Sequence, residues 1–123
     1  MSSKLPINLE DLLRQRKVEG DRIEYKKGWN PDPIMRTLCA FANDFENLGG
    51  GYVVIGQDCD ETGMPVFPPA GVPDNRLDRI QRELLGYCNQ IRPSYFPLLS
   101  IERFADRNLV VLWVPGGQNR PYK

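Results

Sequence analysis

Residues 32–57, DPIMRTLCAFANDFENLGGGYVVIGQ, decide the fold of this chain. The apolar residues of the first half recur at the spacing of one face of an α-helix: Ile34, Leu38, Phe41, Ala42 and Phe45. Asp32 suits the N-cap of that helix and Pro33 suits its first turn. The triple glycine 49–51 ends the helix, and residues 52–55, YVVI, predict a buried strand.

The segment before this helix, RIEYK at residues 22–26, alternates polar and apolar residues as a half-buried strand does. The alternation places Glu24 and Lys26 on one face and Ile23 and Tyr25 on the other. We therefore expect a polar sheet surface beside the helix, left open for a polyanion.

The remaining chain adds further elements on the same signals. A short helix is predicted after Asn8, a short strand near residues 64–67, a helix over 75–90 capped by Asp74, and a hairpin of strands 98–104 and 109–114 joined by 105–108. The predicted fold class is α+β, a mixed β-sheet with about three helices packed on it. Residues 1–123 form a single domain by size, and the ending PGGQNRPYK predicts the N-terminal fragment of a longer protein.

Composition excludes several classes of protein. Histidine is absent, which removes Ser/His/Asp triads, the usual zinc sites and histidine bases. Cys39, Cys59 and Cys88 show no CxxC spacing and are predicted to be free thiols. No membrane span or signal peptide is visible, so a cytoplasmic protein without a membrane partner is expected.

The formal charge is zero but unevenly spread. Residues 1–27 carry seven basic and five acidic side chains, 28–91 carry four and nine, and 92–123 carry five and two. A neutral domain binds polyanions poorly unless its cations form a local patch. Any nucleic-acid contact must therefore use a basic patch built from the two ends, or parts beyond this chain.

The triple glycine is a poor phosphate cradle. Phosphate-binding glycines precede a helix, where N–H groups and the positive dipole end face the anion. Here they follow a helix and precede a strand, and the GK[ST] ending is missing. We interpret glycines 49–51 as a helix C-cap with room for close backbone packing.

Two side-chain groups leave alternatives open. Glu19, Glu24 and Asp58 could converge on Mg²⁺ or Mn²⁺, or they could be scattered surface acids. Lys26 and Lys27 could face a backbone phosphate, or they could belong to a solvated face where Lys26 takes part in a cross-strand ion pair. Trp29 could stack on a base or cover the start of the helix.

Three sequence pieces together resemble the Schlafen AlbA-like domain. They are EGDRIEYK at 19–26, LCAFAN at 38–43 and GGGYVVIGQD at 49–58, in the family's order. The resemblance implies a mixed α/β DNA-binding domain. In bacteria such domains precede a winged-helix or ATPase-like region in predicted transcriptional regulators and RecG-related helicase-like proteins, and ATP binding is attributed to those longer proteins.

Some animal Schlafens are similar in this domain and act as metal-dependent ribonucleases. The resemblance places their three acids on Glu19, Glu24 and Asp58, with Asp60 a competitor for the third place. The insertion of residues 46–48 departs from the family pattern. The animal enzymes also use a doubled arrangement, which this chain could supply only by pairing as a homodimer.

The sequence thus predicts a nucleic-acid-binding module for DNA, with no catalysis and no cofactor of its own. The expected contacts are Lys26, Lys27, Arg36, Arg120 and Lys123. A Mg²⁺- or Mn²⁺-dependent nuclease is the second hypothesis. A regulatory or dimerisation domain that binds ATP is the third.

Overall fold

The computed structural model describes residues 22–43, 50–61, 65–67, 69–92 and 95–116. These residues form six elements: β1 (Arg22–Lys26), α1 (Pro31–Asn43), β2 (Gly51–Ile55), α2 (Asp74–Gln90), β3 (Leu98–Phe104) and β4 (Arg107–Val114). The fold class is α+β, as predicted. The predicted helix after Asn8 lies outside the described residues.

The four strands form one mixed sheet in the order β1-β2-β4-β3. Strands β1 and β2 are parallel, while β4 runs antiparallel to both β2 and β3. A parallel pair needs a crossover connection, and α1 lies within that connection between β1 and β2. The stretch that decides the fold therefore builds one strand–helix–strand unit, to which the hairpin of β3 and β4 adds.

Both helices pack on one face of the sheet. The predicted apolar stripe of α1 is buried there, with Ile34, Leu38 and Ala42 fully inaccessible to solvent. The α2 stripe joins the same cluster through Ile80, Leu84 and Cys88. The sheet contributes residues that alternate along its two central strands, namely Val53, Ile55, Val110, Leu112 and Val114.

The opposite face is buried as well, which corrects the expectation of an open polar sheet surface. Tyr52, Val54, Leu109 and Val111 are at most 1% exposed, and Ile23 and Tyr25 pack against them. Glu24 and Lys26 do share one face, because they align with Val53 and Ile55. That face carries the helices, so their side chains lie at the border of the helical layer, on the edge strand.

Three local predictions are wrong in detail. Helix α1 begins at Pro31, so Asp32 lies in its first turn instead of at the N-cap. The β3–β4 turn has two residues instead of four, because Ala105 and Asp106 adopt φ of 50° and 60° and close a tight hairpin. Asp74 does not cap α2. Pro73 takes the N-cap position without a side-chain hydrogen bond, and the Asp74 carboxylate accepts a hydrogen bond from Asn108 instead.

Of the short strand predicted near residues 64–67, the described residues show one isolated bridge. Cys59 pairs with Pro65 in an isolated antiparallel bridge, and the Val66 N–H donates to the Asp58 carbonyl at 3.0 Å. Thr62 and Gly63 lie outside the described residues. Neither of the two described helices has the length and apolarity to cross a membrane.

Candidate nucleic-acid interface

The predicted lysines lie where β1 ends, beside the loop that follows β2. Lys26 closes β1 and aligns with Ile55, which closes β2 and aligns in turn with Val110 near the start of β4. The Lys26 carbonyl accepts hydrogen bonds from the N–H groups of Gly56 at 2.7 Å and Gln57 at 3.2 Å. The ends of β1 and β2 are therefore tied together next to the β3–β4 turn.

A second set of backbone contacts brings the start of α2 to the same place. The Gly71 N–H donates to the Gly56 carbonyl at 2.8 Å, and the Val72 N–H donates to the Asn108 carbonyl at 2.8 Å. Gly71 has φ of +79°, and a Cβ there would come within 2.9 Å of Arg107 Cβ. We call this region, from Lys26 through Gly56 and Gly71 to Arg107, the hairpin end of the sheet.

Both helices begin at the hairpin end. Helix α1 starts at Pro31, a few residues after Lys26, and α2 starts at Asp74, three residues after Gly71. The N-terminus of a helix carries partial positive charge, which favours nearby anions. Asp32 and Asp74 in the first turns already offset part of that charge.

Lys26 is half-buried and Lys27 is exposed. Within the described part of the chain, neither side chain forms an ion pair. Arg36 is exposed in the second turn of α1, where its Nε lies 3.5 Å from the Asp32 carbonyl. The structure therefore places Lys26 and Lys27 together and sets Arg36 back along α1, while Arg120 and Lys123 lie outside the described residues.

The acidic candidates are only partly visible. Glu24 is half-buried on β1, two residues before its end, and Asp58 is half-buried in the loop after β2. The Asp58 Oδ1 atom is buried and has no hydrogen-bond partner among the described residues. Glu19 lies outside the described residues, and those that are described contain no group of three metal-ligating side chains. The acidic triad stays a prediction.

The sequence did not single out Gln57, which organises the loop beside the lysines. Its side chain is fully buried, and Nε2 donates to the carbonyls of Asp58 at 2.9 Å and Val66 at 2.8 Å. Its Oε1 has no hydrogen-bond partner within the part of the chain that the structure describes. A buried glutamine at the end of a strand has no distinctive sequence signal, so only coordinates could identify this role.

Trp29 has a structural role in this chain. It packs against the helix-side core, and its indole Nε1 donates to Glu83 Oε1 at 2.7 Å. Hydrogen bonds from Arg79 and then from Trp29 lower the pKa of Glu83 below its usual value. Of the two interpretations from sequence, packing against the protein describes Trp29 better than an open stacking surface.

The cysteines are free, as predicted. Cys88 is fully buried, and burial, with a smaller contribution from the nearby Cys39, raises its pKa to about 11. Burial also raises the pKa of Cys39. Thiols held in the protonated form are weak nucleophiles and weak metal ligands, so these two act as small packing residues.

Glycines 50 and 51 have a backbone role. Gly50 has φ of +86°, and a Cβ there would lie 1.9 Å from the Val114 carbonyl oxygen. Gly51 opens β2, aligned with Arg22 on one side and Val114 on the other. This agrees with the interpretation of the triple glycine as a site of close packing, at the end of the sheet away from Lys26.

Comparison with known proteins places this geometry in a family. The family model described as Schlafen, AlbA_2 matches residues 19–123. The chain belongs to the Schlafen AlbA_2 family. The predicted resemblance is thereby confirmed, and the match includes every element of this AlbA_2 domain that the structure describes.

Two solved structures share the fold of this AlbA_2 domain. One is the solution NMR structure of the N-terminal domain of a Nitrosomonas europaea protein named as RecG-related and assigned provisionally to the ATP-dependent DNA helicases. It is 32% identical at a TM-score of 0.66, over 88% of this chain and 72% of the other. The other is the crystal structure of the DIP2311 protein from Corynebacterium diphtheriae, 18% identical at a TM-score of 0.56, over 93% of this chain and 22% of that one. The second shows the fold alone. None of the curated proteins compared with this AlbA_2 domain matches it.

Proposed function

We propose that this AlbA_2 domain is the DNA-binding module of a transcriptional regulator or helicase-related protein, and that it contacts DNA through the hairpin end of the sheet. The observation that carries the proposal is the position of Lys26 and Lys27. They lie beside each other at the end of the edge strand, without an ion-pair partner among the described residues. Cations of this kind are available to phosphate oxygens.

The comparisons with known proteins support the family and the helicase-related setting of this proposal. The family is that of an AlbA-like domain, and the 32%-identical neighbour is the N-terminal domain of a RecG-related protein. A role within a longer DNA-processing or regulatory protein is consistent with both. A winged-helix or ATPase-like region after this domain, and ATP binding by that region, remain predictions from the resemblance.

A salt series tests the proposal. Fluorescence anisotropy with a labelled DNA duplex should give an affinity that weakens steeply between about 50 and 200 mM NaCl, since each phosphate contact adds about 0.9 to the slope of log K against log salt. Single-stranded DNA and RNA of the same sequence serve as parallel probes. Replacing both lysines, Lys26→Ala with Lys27→Ala, should lower the affinity and reduce the slope by about 2.

The matched control is Arg82→Ala. Arg82 is also exposed, but its guanidinium is 3.2 Å from Asp78 in an ion pair on α2. Its removal should leave both affinity and slope unchanged. Absence of salt-dependent binding to every probe would remove the proposed function.

A metal-dependent nuclease is the second candidate. It is favoured by the buried Oδ1 of Asp58, for which the described segments supply no hydrogen-bond partner. Glu19, Glu24 and Asp58 would hold Mg²⁺ or Mn²⁺, which supplies an activated water for phosphodiester cleavage. Labelled RNA and DNA that stay intact with either metal, at high protein concentration and in the dimeric state if one forms, would exclude it. Cleavage that is lost in Asp58→Asn would support it.

A further inference from the structure

The β3–β4 hairpin carries two arginines that the sequence analysis did not select. Arg103 is the next-to-last residue of β3 and Arg107 is the first residue of β4, and both are exposed. The register pairs Arg103 with Asn108 and Arg107 with Phe104, so the arginines lie on opposite faces of the two-stranded tip. Both side chains nevertheless border one depression beside the start of α2.

Neither guanidinium is neutralised by a carboxylate within the described residues. Arg103 donates through Nη1 to Asn108 Oδ1 at 3.2 Å and through Nη2 to the Asp106 carbonyl at 3.3 Å. Both partners are neutral, and three of its five N–H donors remain available. Hydrogen bonds of this type orient the planar group and leave its full charge for an anion.

Arg107 is positioned by packing. The first carbons of its side chain lie against Gly71, where a Cβ would come within 2.9 Å of Arg107 Cβ and 3.3 Å of its Cδ. The glycine leaves room for that stem. Among the described residues its charge has no ion-pair partner, unlike the charges of Arg79 and Arg82 on α2.

Two arginines of α2 differ from these hairpin arginines, because they form ion pairs. Arg79 lies 2.7 Å from Glu83, and Arg82 lies 3.2 Å from Asp78, so two α2 cations are already paired within the helix. In a chain with no net charge, the unpaired cations determine where a polyanion can bind. Among the described residues, the hairpin arginines join Lys26 and Lys27 at one end of the sheet.

Acidic side chains at the same end limit the number of phosphates that can be bound. Asp74 and Asp106 line a shallow depression of about 310 Å³ together with Arg103 and Arg107. Asp74 accepts a hydrogen bond from Asn108, whereas Asp106 is exposed at the turn. The two carboxylates beside the two arginines disfavour the binding of a free anion in the depression. They favour an extended nucleic-acid backbone that passes across the arginines.

We infer that Arg103 and Arg107 contact the phosphate backbone of duplex DNA, as a second anchor beside Lys26 and Lys27. The inference rests on the proposed DNA binding and adds the β3–β4 hairpin as an element that contacts the DNA. Arginine suits phosphate because its fork of donors can bind two oxygens at once. The Asp106 carboxylate opposes the same phosphates.

The test uses the complete 123-residue chain and a labelled duplex. Arg103→Gln with Arg107→Gln should weaken binding about tenfold at low salt and reduce the slope of log K against log salt by about 2, one contact each. Arg103→Lys with Arg107→Lys should keep most of the slope, because lysine retains the charge. Asp106→Asn should tighten binding by about twofold or threefold. Arg82→Gln is the matched control and should change nothing.

The outcomes separate the two proposals. Salt-dependent binding that survives Arg103→Gln with Arg107→Gln, at unchanged affinity and slope, would overturn the hairpin contact and leave the proposed function in place. Failure of the unaltered chain to bind any duplex would overturn both. Circular dichroism and the thermal midpoint of each variant identify loss of folding. If the glutamine pair unfolds, Asp106→Asn decides the question, because unchanged affinity in that variant would overturn the hairpin contact.

Discussion

At the scale of single residues, Gly50 shows how little space the sheet leaves at its start. A Cβ at this position would lie 1.9 Å from the Val114 carbonyl oxygen and 2.7 Å from Pro115 Cα, and φ is +86°. Both obstacles are backbone atoms, so no side-chain movement relieves them. We expect Gly50→Ala to lower the free energy of unfolding by about 3 kcal/mol or more, measured by chemical denaturation.

Gly86 is the matched control for that substitution. It lies inside α2, and a Cβ there would meet no atom within 4 Å. Gly86→Ala should therefore raise the free energy of unfolding by about 0.5–1 kcal/mol, because alanine loses less backbone entropy in a helix. A similar small effect for both substitutions would contradict the close approach of Gly50 to β4.

The cations show what a sequence can and cannot reveal at this scale. The sequence placed Lys26 on a strand face shared with Glu24, and the register agrees. It could not distinguish Arg103 and Arg107 from Arg79 and Arg82, because pairing depends on where a side chain finds an acid. The helical i,i+4 pairs could have been read from spacing. The absence of partners at the hairpin required coordinates.

At the scale of elements, a hydrogen bond that depends on pH joins the loop before α1 to α2. Glu83 accepts from the Trp29 indole at 2.7 Å and pairs with Arg79 at 2.7 Å. These hydrogen bonds, Arg79 first, lower the pKa of Glu83 in the folded state. A carboxylate with a lowered folded-state pKa adds stability above its unfolded-state pKa, and that contribution is lost as the pH falls through the folded-state value.

We therefore expect the Trp29 contact to weaken on acidification below the ordinary range of a glutamate pKa. The indole N–H resonance of Trp29 should shift as Glu83 is protonated, at a pH below the usual pKa of a glutamate side chain. Glu83→Gln should abolish that titration. Asp78→Asn is the control: its partner Arg82 is exposed, so the Trp29 resonance should titrate as before. A Trp29 resonance that does not change with pH would contradict the contact.

Elements with a strong local pattern were predictable and their caps were not. The α1 stripe, the buried β2 strand and the C-terminal hairpin follow from periodicity and appear in the structure. The two-residue turn was missed because Ala105 and Asp106 are not the usual residues for positive φ. Asp74 was expected to cap α2, but Asn108, distant in sequence, binds its carboxylate instead.

At the scale of the whole molecule, the sheet order determines where a site can lie. The central strands β2 and β4 are buried on both faces by packed side chains, so a face open to a polyanion is not available there. The same order brings the end of β1, the loop after β2, the start of α2 and the hairpin turn to one end. This arrangement depends on strand pairing between distant segments, which the sequence alone did not specify.

The position of that end gives the last prediction, a map of the DNA footprint. In ¹H–¹⁵N spectra of the chain titrated with a DNA duplex, the largest shifts should occur for amides at the hairpin end, such as Lys27, Gly71 and Arg107. Amides at the other end of the sheet, such as Gly51 and Val114, should move little, because β2 and β4 extend away from the hairpin end over their full length. Shifts should diminish together as salt is raised, since phosphate contacts are screened and counterions compete. Shifts centred on Gly51 and Val114 would place the interface at the other end of the sheet. Among the strand side chains that the structure describes, none at that end is an unpaired lysine or arginine.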